Sequence, residues 1–188
     1  MPANGPPQTL DERIDRLESL DEIRQLPHRY ALAVDTRNID VLVGLFVEDV
    51  QVGKGVSGRE ALKQWFTQAL SQAKTTIHFV GNHVIDFESA HRARGVVYCR
   101  DEAERPTDWG VGYLQYWDSY VRREGRWYFE RRRFHRWFMV DVLTRPSHGA
   151  GVIEAGKILP TGLLPDAWPS WGEFWQRVNE NRAVEENR

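Results

Sequence analysis

The chain has 188 residues, 41% hydrophobic and 28% charged, with a formal net charge of −2. This is the balance of one globular domain with appendages, long enough to bury a core. It excludes a global attraction to nucleic acid or to an anionic membrane. No apolar run approaches the roughly 20 residues needed to span a bilayer, and a lone cysteine, Cys99, excludes an internal disulfide.

Residues 1–8, MPANGPPQ, read as a disordered start without the basic or apolar region of a signal peptide. With the lone cysteine, that predicts a cytoplasmic location. TLDE then offers a capping box, Thr9 with Glu12, and SLDE a second one, Ser19 with Glu22. Ile23, Leu26, Tyr30 and Val34 recur at helical spacing, and Pro27 among them is expected to kink or restart the helix. DTRN ends it, IDVLVGLFVED reads as a short third helix, and VQV as a short strand. SGREALKQWFTQALSQ is an amphipathic helix with Leu62, Trp65, Phe66, Ala69 and Leu70 on one side.

From residue 75 the pattern changes to long strands at about 75–87, 92–103, 109–123 and 126–141, with REGR as a tight hairpin between the last two. YLQYWDSYV, dense in β-formers on both faces, predicts a central strand. Helices first and an antiparallel meander after them make an α+β plan over residues 9–144. The helices pack on one face of a curved sheet, which is expected to close into a cone around a pocket. Eight tryptophans, eight phenylalanines and six tyrosines point to an aromatic-lined core or cavity. Residues 145–188 form an extension, Gly- and Pro-rich loop followed by SWGEFWQRV. There Ser170 and Glu173 make a capping box, and Trp171, Phe174, Trp175 and Val178 an apolar stripe that must bury itself as a lid or a subunit contact.

GKGVSG, Gly53 to Gly58, fits the glycine spacing of a dinucleotide fingerprint. That motif needs a parallel βαβ unit, and everything downstream reads antiparallel, so turn glycines ahead of a helix suffice. The six histidines show no HExxH spacing and there is no Cys pair, so no metal site is expected. Cys99, in GVVYCRD, has no evident activating base and reads as packing.

TTIHFVGNH raises the main question, because it sets His78 in an apolar strand. Alternation sends His78 and His83 to opposite faces, with Val80, Asn82 and Val84 on the His78 side. A neutral imidazole inside needs partners for both nitrogens. Asp35, just after the apolar helix, is a candidate that would fix the tautomer and raise the basicity of the other nitrogen, as a general base requires. Tyr30 could place a phenol in the same cavity. A satisfied core histidine is the competing reading.

YALAVDTRNIDVLVGLFVEDV, TTIHFVGNHVID and REGRWYFERRRFHRWF, in this order and spacing, resemble the SnoaL-like branch of the nuclear transport factor 2-like superfamily. Over roughly residues 15 to 140 the chain is most similar to the scytalone dehydratase-like group, with bile-acid 7α-dehydratase and hexachlorocyclohexane dehydrochlorinase as functional relatives. The resemblance implies a cystatin-like α+β barrel and cofactor-free elimination in a deep hydrophobic pocket. It implies a catalytic set of His78, Asp35, Tyr30 and a basic residue of the last strand, which falls on Arg132 when counted from Trp127. Arg131, Arg133 and His135 stand close, and a bulge would change which one points inward. Asn82 matches a polar position after the histidine. Trp65, Trp117 and Phe46 are candidate walls, and His135 a further substrate contact. The expectation is a dehydratase acting on a polycyclic or aromatic carbonyl-activated alcohol, with an isomerase, a cyclase or a non-catalytic binding module as alternatives. Homo-oligomers, dimers or trimers, are implied as well.

Overall fold

A computed structural model describes residues 9–141, the short strands 152–154 and 157–159, and the helical positions Pro169, Gly172, Gln176 and Glu180. Residues 1–8 and the apolar stripe of Trp171, Phe174, Trp175 and Val178 lie outside the described residues.

Helix α1, Leu10–Asp35, starts at the Thr9–Glu12 capping box, both of whose hydrogen bonds form. It runs unbroken through the second cap signal and through Pro27, contrary to the expected restart. Ser19 and Pro27 are buried, so packing against the sheet outweighs the helix-breaking tendency of a residue that lacks an N–H donor. The Asp15 carboxylate accepts from Arg122, and Glu22 accepts from the backbone N–H of Trp127, which ties this helix to the sheet.

The expected third helix is shorter, α2, Ile39–Gly44. After it the chain straightens, so that Phe46 bridges Phe129 and runs beside the last strand. A small hairpin, β1 Gln51–Gly53 and β2 Val56–Ser57, leads into α3, Arg59–Leu70. Leu62 and Phe66 of α3 are buried.

The four long strands are β3 Thr75–Ser89, β4 Arg92–Glu104, β5 Trp109–Arg123 and β6 Arg126–Asp141. They form one antiparallel sheet in the order β3-β4-β5-β6, with β4 and β5 inside. Glu124 and Gly125, both at positive φ, make the REGR turn. The sheet is curved but does not close, because β3 and β6 remain its edges; the helices cover the hollow instead. The core lies between α1, α2, α3 and the inner face, with Ile23, Leu42, Val97, Tyr120 and Phe129 fully buried. In the stretch expected to be loop, Val152–Glu154 and Lys157–Leu159 pair as a short hairpin, β7 and β8. Among the described residues no helix is long and apolar enough to cross a membrane.

The inner two strands pair without interruption, whereas β3 and β6 each carry two register shifts. These bulges decide which side chains face inward.

Candidate active site

Asp35 closes α1, at the end of a helix where a carboxylate is disfavoured by the dipole. Arg37 turns the chain back at φ 57° and staples it to the start of β3, donating to the Val34 and Ala73 carbonyls and to Thr76. Asp35 Oδ2 then accepts from the backbone N–H of His78 (2.9 Å), and Oδ1 accepts from the Thr76 hydroxyl (3.0 Å) and the His78 ring at Nδ1 (2.7 Å). Partial burial pushes the Asp35 carboxyl up, but the hydrogen bonds from His78 and Thr76 outweigh it and hold it below its usual range. Against an ionised Asp35, His78 carries its proton on Nδ1, which leaves the Nε2 lone pair for chemistry.

His78 borders a cavity of about 520 Å³ between the sheet and the helices. Tyr30, Phe46, Leu62, Phe66, Leu114 and Tyr116 give it an aromatic and aliphatic lining. The half-exposed rings of Trp65 on α3 and Phe134 on β6 mark where it meets solvent. Tyr30 stands edge-on to His78 with ring centroids 6.5 Å apart. Burial pushes its phenol up to about 12, so it stays protonated and can donate.

A bulge at Glu130, between the pairs Ser119↔Arg131 and Tyr120↔Phe129, turns Arg132 inward. Its guanidinium lies over the rings of Tyr30, Tyr116 and Phe129 at 4.0 to 4.4 Å. Asp118 clamps it from behind, accepting from Nε (2.9 Å) and Nη2 (2.7 Å). Burial alone would lower the Arg132 pKa, but Asp118 raises it above normal. Nη1 has no hydrogen-bond partner among the described residues.

The structure also places groups the sequence reading left out or misplaced. Asp101 on β4 pairs in register with His78, lines the cavity and is largely buried, with no hydrogen-bond partner at Oδ1 among the described residues. Desolvation raises its pKa, against the opposing pull of His78, Arg136 and Arg105. Gly112, opposite it on β5, makes the room: a Cβ there would lie 2.0 Å from Asp101 Oδ1. Alternation from Val97 through Cys99 to Asp101 carries this signal in the sequence, where GVVYCRD is read only for its cysteine. Cys99 itself is buried, its thiol pushed up to about 12 by desolvation, as a packing residue should be.

A bulge between Val80 and His83 breaks the simple alternation of β3. It brings His83 to the same face as His78 and leaves Asn82 and Val84 exposed on the other, so Asn82 does not line this cavity but a shallower hollow on the opposite face. The His83 ring lies 3.0 Å from the Tyr120 hydroxyl, which donates to Asp118 Oδ2 (2.8 Å). Trp117 and His135 face away from the cavity and stack on each other, ring centroids 4.2 Å apart, with Trp117 donating to Gln115. Neither is a wall of the cavity, because β5 residues that face it are the even-numbered ones, Leu114 and Tyr116. Phe46 and Trp65 do line it.

Residues 15–133 match the SnoaL-like domain family. The chain belongs to that family. Among solved structures, the fold of this SnoaL-like protein is similar to a Novosphingobium aromaticivorans protein provisionally assigned as a scytalone dehydratase. That match has 25% identity and a TM-score of 0.61, over 72% of this chain and 95% of the other. Two hexachlorocyclohexane dehydrochlorinases share the fold at a TM-score of 0.64. One is LinA type 2, at 21% identity over 73% of this chain and 99% of that one. The other is LinA-type3 of Novosphingobium barchaimii LL02, at 20% identity over 72% and 99%. No curated protein matches the chain. The SnoaL-like fold here thus surrounds a cavity suited to a small molecule, with His78, Asp101, Tyr30 and Arg132 at its wall and Asp35 hydrogen-bonded to the histidine.

Proposed function

We propose that this SnoaL-like protein is a cofactor-free lyase that removes water from a hydrophobic, carbonyl-activated alcohol. The observation that carries the reading is the 2.7 Å Asp35–His78 hydrogen bond beside an apolar cavity. His78 Nε2 takes the proton from the carbon next to the carbonyl. The charge that develops on the carbonyl oxygen is met by the Tyr30 hydroxyl and by Nη1 of Arg132. The carbon–oxygen bond then breaks, and Asp101, whose hold on a proton desolvation strengthens, gives a proton to the departing hydroxyl, which leaves as water. Solvent carries the proton from His78 back to Asp101. The elimination enzymes sharing the fold support this class of reaction.

An isomerase or cyclase is the second reading. A carboxyl with a raised pKa, across the strand pair from the base, could equally return a proton at another carbon.

The test is turnover of a panel of polycyclic hydroxy ketones followed by mass spectrometry. Loss of one water supports the lyase, and an isomer of unchanged mass supports the second reading. His78→Gln should lower the rate by about 10²–10⁴-fold with an unchanged circular dichroism spectrum. Full activity in that variant would remove the dyad.

A further inference from the structure

A second, shallow hollow adjoins the cavity at the β1–β2 hairpin. It is lined by Gln51, Val52, Gly53, Lys54, Gly55 and Arg131. Gln51, Val52 and Arg131 also line the main cavity, so the two spaces adjoin. The main cavity combines an aromatic and aliphatic wall with charged groups of both signs, Asp101 and Glu102 among them, whereas the annex carries two cations and no acid.

Neither Lys54 nor Arg131 has an ion pair or hydrogen bond among the described residues. Most other cations near the sheet are engaged: Arg59 with Glu48, Lys63 with Asp40, Arg92 with Glu130, Arg105 with Asp108, Arg122 with Asp15 and Arg123 with Asp49. On a chain with a formal net charge of −2, two unpaired cations around one opening are not a general basic surface. Arg133 adds a third at the cavity lining, exposed and likewise unpaired. The GKG turn is bare as well, since Gly55 holds φ +74° and a Cβ at Gly53 or Gly55 would meet no atom within 4 Å. An approaching group therefore meets a lysine, an arginine and open backbone without steric obstruction.

We infer that the substrate is an amphiphile: an apolar ring system in the cavity, joined to a terminal oxyanion, carboxylate or phosphate, that docks between Lys54 and Arg131. The inference rests on the cavity being the substrate pocket and adds the charge of the substrate's far end. The oxyanion replaces a counter-ion that the protein itself does not supply, and charge-assisted hydrogen bonds from Arg131 give it direction. Its contribution is screened by salt, because both cations are exposed.

The full-length protein is titrated with 1-pyrenebutyrate, its methyl ester and 1-pyrenylmethyl phosphate, with binding read from tryptophan quenching. At low salt the carboxylate or the phosphate should bind about tenfold tighter than the ester, and the tighter of the two identifies the anion. The preference should shrink in 0.5 M NaCl and vanish in the Lys54→Gln/Arg131→Gln double variant, whose affinity for the ester stays that of the wild type. Equal binding of ester and anions, or a preference that survives the double variant, overturns the annex and leaves the cavity reading intact. No binding of the ester to the wild-type protein would overturn both.

Discussion

Two polar clusters, built from the same few residue types, sit on the inner face of one sheet and differ in what they leave unspent. Behind the cavity wall, the His83 ring donates to Tyr120, Tyr120 donates to Asp118, and Asp118 grips Arg132 at two nitrogens. Among the described residues two buried atoms of that chain lack a hydrogen-bond partner, Nδ1 of His83 at its far end and Nη1 of Arg132, and of these only Arg132 lines the cavity. At the cavity, Asp35 is equally occupied, by three donors, but among the described residues nothing bonds to Nε2 of His78 or to Oδ1 of Asp101. A histidine linked to a carboxylate, directly or through a phenol, is therefore not a catalytic signal in itself. The lone pair left facing open space makes the difference, and the closed cluster serves to fix a guanidinium.

Breaking the closed cluster should have the largest effect on stability. The side chains of Asp118 and Arg132 are 0% and 5% exposed, so Asp118→Ala strands a buried cation and should cost about 3–5 kcal/mol in urea denaturation. The double variant Asp118→Leu/Arg132→Met should recover most of that loss, because the pair is then replaced by apolar groups. Asp35→Asn, in the half-open cluster, keeps much of its hydrogen bonding and should cost only about 1 kcal/mol. Equal costs for the two aspartates would erase the distinction drawn between the clusters.

The room around Asp101 is the next point of leverage. Gly112→Ala puts a methyl group where the Asp101 carboxyl now sits, with the Met139 side chain next to it at 3.1 Å. Overpacking of this kind should cost about 1–3 kcal/mol and push the carboxyl out of its desolvated position. If Asp101 supplies the proton to the leaving group, turnover should fall more in this variant than in a surface control of equal stability, and the alkaline limb of the pH–rate profile should move to lower pH as the carboxyl regains water and loses its proton more readily.

Much of this was legible before any coordinates. Alternation and the REGR turn locate the long strands to within a residue or two, since a half-buried strand writes its period directly into the sequence. The Asp35–His78 contact was legible too, because a helix end and the first long strand have few ways to meet. Local pattern failed where tertiary packing intervenes. Ser19 and Pro27 look like helix boundaries, yet burial against the sheet carries α1 through both. The bulge after Val80 sends Asn82 outward and His83 inward, and no residue in FVGNH announces it beyond a glycine. The same kind of bulge turns Arg132 inward, so one strand rewards counting from Trp127 and the other misleads it. Asp101 escaped because its role depends on the absence of a side chain at Gly112, a partner on another strand.

A further expected effect separates the two clusters by pH. Burial, with Arg132 nearby, lowers the His83 pKa from 6.5 to about 4. As pH falls from about 6.5 to about 4, the unfolded chain takes up a proton at this position that the folded chain refuses. Stability contributed by neutral His83 is thus fully present above 6.5 and drains away toward 4. Because the ring is not fully enclosed, the loss is discounted to about 1–2 kcal/mol. Asp35 acts in another window: its carboxyl is held below the ordinary value, so its contribution fails only as the pH drops past that value and through the lowered one. Urea denaturation at intervals between pH 7 and 4 should show the first decline in the wild type and a flatter line in His83→Gln. An imidazole NMR titration should find the His83 ring still neutral at pH 5. A His83 ring that charges near 6.5 would mean that water reaches the chain behind Arg132, and the closed cluster would then be as open as the one at the cavity.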